Sequence, residues 1–294
     1  MNFNRQLNDL QEKINEALNL RLPAVDTRPS RLHEAIRHSV SAGGKRIRPV
    51  LVLSANQLFP SGNNPMPAAI AIECIHTYSL IHDDLPAMDN SDLRRGQPAC
   101  HKAFDEATAI LAGDALLAMA FEVLSVDYAD RPDLVSHLVG ILATAAGSER
   151  LVGGQMEDLL AEGSSPNADT LRYVHANKTG ALLTACLEMG LCLGNKGAEE
   201  KVLILGRRLG MSLGLAFQAM DDLLDATRTT EELGKDAESD AIQGKATSVA
   251  FRGIEETKEQ AKHHTEEALS FAREIGGDNE FLLELIVYLL NRKK

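Results

Sequence analysis

Apolar residues recur at helical spacing along nearly the whole chain. Phe3, Leu7, Leu10, Ile14 and Leu18 lie three or four apart with polar residues between them. That pattern predicts an amphipathic helix resting on the body of the protein, ended by Leu22-Pro23. A second helix is expected from Ser30 to Ala42, stopped by Gly43-Gly44, and a third from Val50 to Leu58. A loop rich in Pro, Gly and Asn follows. The run from Met66 to Asp84 is then apolar on nearly all sides, which predicts a central, buried helix. Further helices are expected over Phe104 to Tyr128, Leu134 to Gly147, and after Lys178-Thr179-Gly180 as far as Cys192. Gly206 to Asp225 reads as a second central helix, and Glu255 to Ile275 and Asp278 to Leu290 as closing amphipathic ones. No segment alternates at strand period and no short repeat is present. No linker is long enough to divide the chain, so residues 1–294 are expected to form one domain.

Composition agrees and excludes several function classes. Hydrophobic residues make up 44%, aromatics only 4%, and Trp is absent, a balance that favours helix over sheet. The formal net charge of −12 argues against nucleic-acid binding and against an anionic membrane surface. An anionic substrate would need locally concentrated cations. Cys74, Cys100, Cys186 and Cys192 form no CxxC pair and read as reduced thiols. The N-terminus lacks a signal-peptide core, and no uncharged apolar run reaches membrane-spanning length. A cytoplasmic protein without a membrane span is expected.

The candidate chemistry sits at the ends of the two central helices. Asp83, Asp84 and Asp89 follow the first; Asp221, Asp222 and Asp225 end the second. Carboxylates this dense repel one another and oppose the helix dipole, so a bound cation is the natural compensation. Hard oxygen ligands point to Mg²⁺. On an ideal helix Asp89 would point away from Asp83, but Pro86 should break or distort the helix and swing it back. Gln218, Asp221, Asp222 and Asp225 fall at i, i+3, i+4 and i+7, a single stripe on a regular helix. A solvated acidic face is the bland account, but the preceding segment looks buried and no Lys or Arg lies within the turn before the stripe.

Local cations accompany these clusters. Gly44-Lys45-Arg46-Ile47-Arg48 places three cations in four residues, either helix-end decoration or a phosphate site. Arg94-Arg95-Gly96 follows the first aspartates in a polar loop. Lys178-Thr179-Gly180 marks a kink or an anion site. His76 shares a face with Asp83, although a lone His there is more often core. Greasy helices leading away from phosphate-type clusters suit a diphosphate head with a hydrocarbon tail. No Ser-His-Asp set, reactive Cys or Gly-rich nucleotide loop suggests covalent catalysis.

These residues, in this order, resemble the trans-prenyl diphosphate synthases. The likeness rests on Asp83-Asp84-xxxx-Asp89, Arg94-Arg95-Gly96 and Asp221-Asp222-xx-Asp225. It is joined by Gly44-Lys45-Arg46-x-Arg48, Gly154-Gln155-xx-Asp158, Lys178-Thr179, Phe217-Gln218 and Gly234-Lys235, and covers about Arg31 to the C-terminus. The stretch from Tyr78 to Asp89 is most similar to bacterial farnesyl diphosphate synthases. The resemblance implies an all-α bundle around a deep central cavity, a homodimer, and Mg²⁺ dependence, with about three ions once substrate is bound. It assigns Asp83, Asp84, Asp89, Asp221, Asp222 and Asp225 to metal. Arg94, Lys178 and Lys235 would contact the allylic diphosphate, with Thr179 and Gln218 beside it. Lys45, Arg48, His76 and Arg95 would bind isopentenyl diphosphate, and Lys245 would lie near the leaving group. Asn90 departs from the acid of many bacterial relatives, outside the liganding positions.

Tyr78 and Ser79, about a turn below Asp83, are the expected limit on product length, at fifteen carbons. A geranylgeranyl or geranyl diphosphate synthase is the alternative within the same chemistry. A terpene cyclase would have no use for the pocket of Lys45, Arg48 and Arg95. A metal-dependent phosphohydrolase built on His82-Asp83 would leave the second cluster idle, and a non-catalytic subunit would not need either. The basic tail Arg292-Lys293-Lys294 folds over the site or frays.

Overall fold

The computed structural model describes residues 2–162, 167–194, 199–227 and 247–290. Helix α1 spans Phe3–Arg21, its N-terminus capped by the Asn2 side chain, and buries Leu7, Ile14 and Leu18 as the spacing predicts. Then follow α2 (Ser30–Ser41), α3 (Ile47–Gln57) and α4 (Met66–Asp83). A two-stranded hairpin, β1 (Leu93–Arg94) with β2 (Gln97–Pro98), comes next. The sequence pattern predicts no strand, because a two-residue ladder is too short to show a period. The helix predicted from Phe104 is instead α5 (Cys100–Ala103) and α6 (Glu106–Asp127). Phe104 leaves helical backbone, and the Asp105 side chain accepts from the Thr108 backbone N–H to start α6. Helices α7 (Pro132–Ala146), α8 (Leu151–Ala161) and α9 (Ala168–Val174) lead to a π-helical turn at His175–Gly180. After it come α10 (Ala181–Cys192), α11 (Glu200–Thr227), α12 (Ser248–Arg252), α13 (Ile254–Ile275) and α14 (Glu280–Leu290). Thr247 caps α12, accepting from the Ala250 N–H.

The described residues group into two compact units. One takes Met1–Leu53 and Asn64–Val139, the other Ser54–Asn63 and Gly140–Lys294. In the first, α4 is the core element and packs mainly on α6. Ala68, Ala69, Ala71, Ile72 and Ile75 are almost fully buried. Gly113 on α6 leaves the space that the His82 ring fills. By length and composition α6 is the one described helix apolar enough to cross a membrane, yet it carries Asp114 and Glu122 and buries Ala109, Leu116, Ala120 and Leu124 in this unit.

One buried ion pair corrects the sequence reading. Arg46 does not join an exposed cation cluster. It sits at φ 49°, only 5% exposed, and donates to Glu73 Oε1 at 2.6 Å, Asn15 Oδ1 at 2.8 Å and the Val40 carbonyl at 2.5 Å. Glu73, a lone acid inside the apolar α4, is the partner that makes its burial tolerable.

In the second unit α11 packs chiefly on α13 and α10. Close approach is set by small residues. A Cβ on Gly210 would meet the backbone of Thr184, and one on Gly214 would meet Gly180. None of the four cysteines forms a disulfide. Burial pushes the Cys74 thiol up to about 12 and the Cys192 thiol up to about 11, which keeps them protonated and unreactive.

Candidate active site

Helix α4 stops where Pro86 forbids continuation. Asp83 is its last residue and Asp84 its C-cap. The chain then folds back in a tight bend. Met88 N–H donates to the Leu85 carbonyl at 2.9 Å, Asp89 N–H to the Asp83 carbonyl at 2.8 Å, and Ser91 N–H to the Asp84 carbonyl at 3.2 Å. Asn90 turns the corner at φ 48°. Asp89 is thereby returned to Asp83, as the proline argument predicts, although the helix itself stays regular through Asp83.

The hairpin aims two adjacent arginines at different targets. Arg95 and Gly96 occupy its tip with φ 55° and 76°, the left-handed pair that a two-residue hairpin turn requires. Arg94 turns to Asp84. Its Nε lies 3.1 Å from both carboxylate oxygens, and Nη2 donates to Oδ1 as well. Burial lowers the Arg94 pKa, but the hydrogen bond and charge of Asp84, then the charges of Asp83 and Asp89, outweigh it and hold it above the ordinary arginine value. Burial still pushes Asp84 up despite Arg94, and the charge of Asp89 adds to that. The hard carboxylate oxygens gathered in this bend are the donor type that suits a divalent cation.

Arg95 turns the other way. It donates to the Gly43 carbonyl, and its Nη2 stands 3.5 Å from His76 Nε2. Arg48 Nη1 reaches the same nitrogen at 3.3 Å. Facing two guanidinium groups, Nε2 is an acceptor and the ring proton belongs on Nδ1. Burial, then the charges of Arg48, Arg95, Arg94 and Arg46, hold His76 well below the ordinary histidine range. His76 is thus a neutral spacer in a strongly positive corner. The close approach of Arg95 needs Gly44, whose Cβ would strike the guanidinium and whose φ is +114°. Lys45 is exposed beside it, and its carbonyl accepts from Gln11 Nε2 at 2.6 Å.

The second unit holds the other cluster. Lys178 and Thr179 lie in the π turn, which is the kink that the motif marks. Lys178 Nζ pairs with Asp158 Oδ2 at 2.6 Å. Gly154, a turn before Asp158, lets α8 lie against the Lys178 backbone, where any Cβ would collide. Thr179 Oγ1 donates to Gln218 Oε1 at 3.0 Å, and Gln218 Nε2 donates to Asp222 Oδ1 at 3.0 Å. Asp222 Oδ2 also accepts from the Ser248 backbone N–H at 2.6 Å. His175 Nε2 lies 3.7 Å from the same oxygen, and burial lowers its pKa to about 4. Burial pushes Asp222 up in spite of Gln218 and Ser248, with the charge of Asp225 adding to the rise. Asp221 is half-buried and Asp225 is buried on the same helix. This carboxylate set has the same hard-oxygen character as the first. His175 and the Ser248 N–H are site residues that no sequence motif flagged.

The remaining sequence-predicted residues are placed as follows. Tyr78 is buried, its ring edge against His82 at 5.8 Å between centroids, and Ser79 donates to the His76 carbonyl of its own helix at 2.9 Å. His82 Nε2 faces the Ile110 carbonyl at 3.1 Å, so the His-Asp pairing behind a phosphohydrolase gains no support. Lys235, Lys245 and the tail Arg292-Lys293-Lys294 lie outside the described residues.

Comparison with known proteins agrees with these motifs. The family model described as polyprenyl synthetase matches residues 29–283. The farnesyl diphosphate synthase of Micrococcus luteus is 42% identical over 97% of both chains. Geranylgeranyl pyrophosphate synthase 7, chloroplastic, of Arabidopsis thaliana is 47% identical over 84% of this chain and 72% of its own. Among solved structures, a geranyltransferase from Helicobacter pylori complexed with magnesium and isoprenyl diphosphate superposes with a TM-score of 0.84 at 32% identity, over 99% of this chain and 97% of that one. The chain therefore belongs to the polyprenyl synthetase family of all-α prenyltransferases.

Proposed function

We propose that this short-chain prenyltransferase is a farnesyl diphosphate synthase, condensing isopentenyl diphosphate with dimethylallyl and then geranyl diphosphate. The observation that carries the product length is Tyr78. It is buried on α4, about 7.5 Å of helical rise below Asp83. Burial, then the charge of Asp83, raises its hydroxyl pKa, which supports a ring lying beneath the carboxylates. Ser79 is small and tied to its own helix, so Tyr78 is the floor on which a growing chain stops. Tyr78→Ala should shift the product beyond fifteen carbons when dimethylallyl and isopentenyl diphosphates are supplied and products are separated by chain length. Unchanged fifteen-carbon product would remove Tyr78 from this role, and a twenty-carbon product from the unaltered enzyme would favour the geranylgeranyl alternative.

The same reading gives each residue a task. Asp83, Asp84 and Asp89 in one unit, and Asp221, Asp222 and Asp225 in the other, are the residues to hold Mg²⁺, about three ions with substrate. Bound Mg²⁺ supplies charge neutralisation of the allylic diphosphate as its C–O bond breaks. Arg94 and Lys178 add donors to that departing diphosphate, with Thr179 and Gln218 beside it. Lys235 and Lys245 are assigned to it from the resemblance. Arg48 and Arg95, held by neutral His76, bind the diphosphate of isopentenyl diphosphate together with Lys45. The double bond of that substrate attacks the allylic cation, and the proton then lost goes to the released diphosphate, so no protein base is required.

We further propose a cytoplasmic homodimer, as the resemblance implies, with the exposed Ile110, Leu111 and Val126 of α6 as candidate contacts. Sedimentation at the mass of two chains is expected, and a single-chain mass would contradict it.

A further inference from the structure

Helix α13 carries a group of metal-type side chains apart from either aspartate motif. His264 Nδ1 stands 3.0 Å from Glu267 Oε2, and His263 Nε2 stands 3.7 Å from Glu267 Oε1. Ligand atoms of the three residues all lie within 4.8 Å of one another. Around a tetrahedral zinc ion, nitrogen and oxygen ligands at ~2.0–2.1 Å from the metal are about 3.3–3.5 Å apart. The two nitrogen–oxygen separations, one to each oxygen of the carboxylate, lie near that spacing.

Glu267 is also steered from another helix. Buried Ser212 on α11 donates to Glu267 Oε2 at 3.3 Å, the kind of outer contact that orients a liganding carboxylate. His264 also lines an open cavity of about 320 Å³, shared with Gln260, Arg252, His175 and Ser248.

We propose that His263, His264 and Glu267 form a transition-metal site of the Zn²⁺ type, with water as the fourth ligand. Two imidazoles and one carboxylate favour Zn²⁺ over Mg²⁺, whose preferred ligands are all oxygen. On binding, the ion takes the place of the His264 Nδ1 proton. The ligand is the neutral ring, whose single proton sits on Nε2 while the Nδ1 lone pair meets the ion; a proton that starts on Nδ1 moves to Nε2 through solvent, so the ring releases none overall.

The test is a Zn²⁺ titration of the metal-stripped full chain against a chromogenic chelator, in a large excess of Mg²⁺. One Zn²⁺ per chain should bind and resist displacement by Mg²⁺. Glu267→Gln should weaken binding at least about tenfold, and the double change His263→Ala with His264→Ala should abolish it, with helicity by circular dichroism unchanged. Absence of Zn²⁺ uptake by the unaltered chain, or full affinity in the double variant, would overturn the proposal.

Discussion

Asp221→Ala is expected to lower kcat by about three orders of magnitude or more, and Asp83→Ala by a similar factor. Both side chains are half-buried at the open side of their clusters, whereas Asp84 and Asp222 are pinned by Arg94 and by Gln218 with Ser248. Replacing either carboxylate removes a proposed cation ligand and leaves Asp84 and Asp222 with the contacts just named. The fold should survive, and the loss should appear in turnover. Steady-state kinetics with dimethylallyl and isopentenyl diphosphates over a range of Mg²⁺ concentrations is the measurement. Turnover within about tenfold of the unaltered enzyme in either variant would contradict the assigned role.

Breaking the Arg46–Glu73 pair should cost stability rather than chemistry. Both side chains are at most 3% exposed. Glu73→Gln or Arg46→Met alone leaves one charge buried and uncompensated, which typically costs about 3–5 kcal/mol. For a chain of this size that corresponds to a fall of roughly 5–8 °C in Tm. Changing both together to Met and Leu should recover much of the loss, because the desolvation of two charges is removed along with their attraction. Thermal melts of the two single variants and the double one form the check. Single variants melting like the unaltered protein would show that the pair carries no such energy.

Helix periodicity was legible because apolar spacing records burial directly. Leu7, Ile14 and Leu18 pointed inward as their spacing required. Most helix bounds fell within a few residues of the pattern, but α11 begins at Glu200, well before the expected Gly206, and at Phe104 the helix breaks and is restarted by the Asp105 cap. The aspartate bend was legible because Pro86 leaves few choices. The hairpin was not, since its ladder is two residues long and its information lies in the backbone of Arg95 and Gly96. Arg46 was misread for a different reason. Its neighbours in sequence, Lys45 and Arg48, are cations, but its partner Glu73 is remote in the chain, and one acid in an apolar run gives no periodic signal. His175 and the Ser248 N–H escaped likewise, because a backbone donor has no sequence identity and His175 approaches Asp222 from across the fold. The π turn was half legible. Lys178-Thr179-Gly180 marked a discontinuity, but an extra residue in a helical turn looks in sequence like any other short polar interruption.

The forked grip of Arg94 on Asp84 makes the order of occupancy matter. A divalent ion arriving alone would draw Asp84 away and leave a half-buried guanidinium stranded. A pyrophosphate arriving alone would draw Arg94 away and leave a buried carboxylate stranded. Only when both arrive does every charge exchange one partner for another. Under the roles proposed for Asp84 and Arg94, each guest would tighten the hold on the other, and the two would enter as a thermodynamically linked pair.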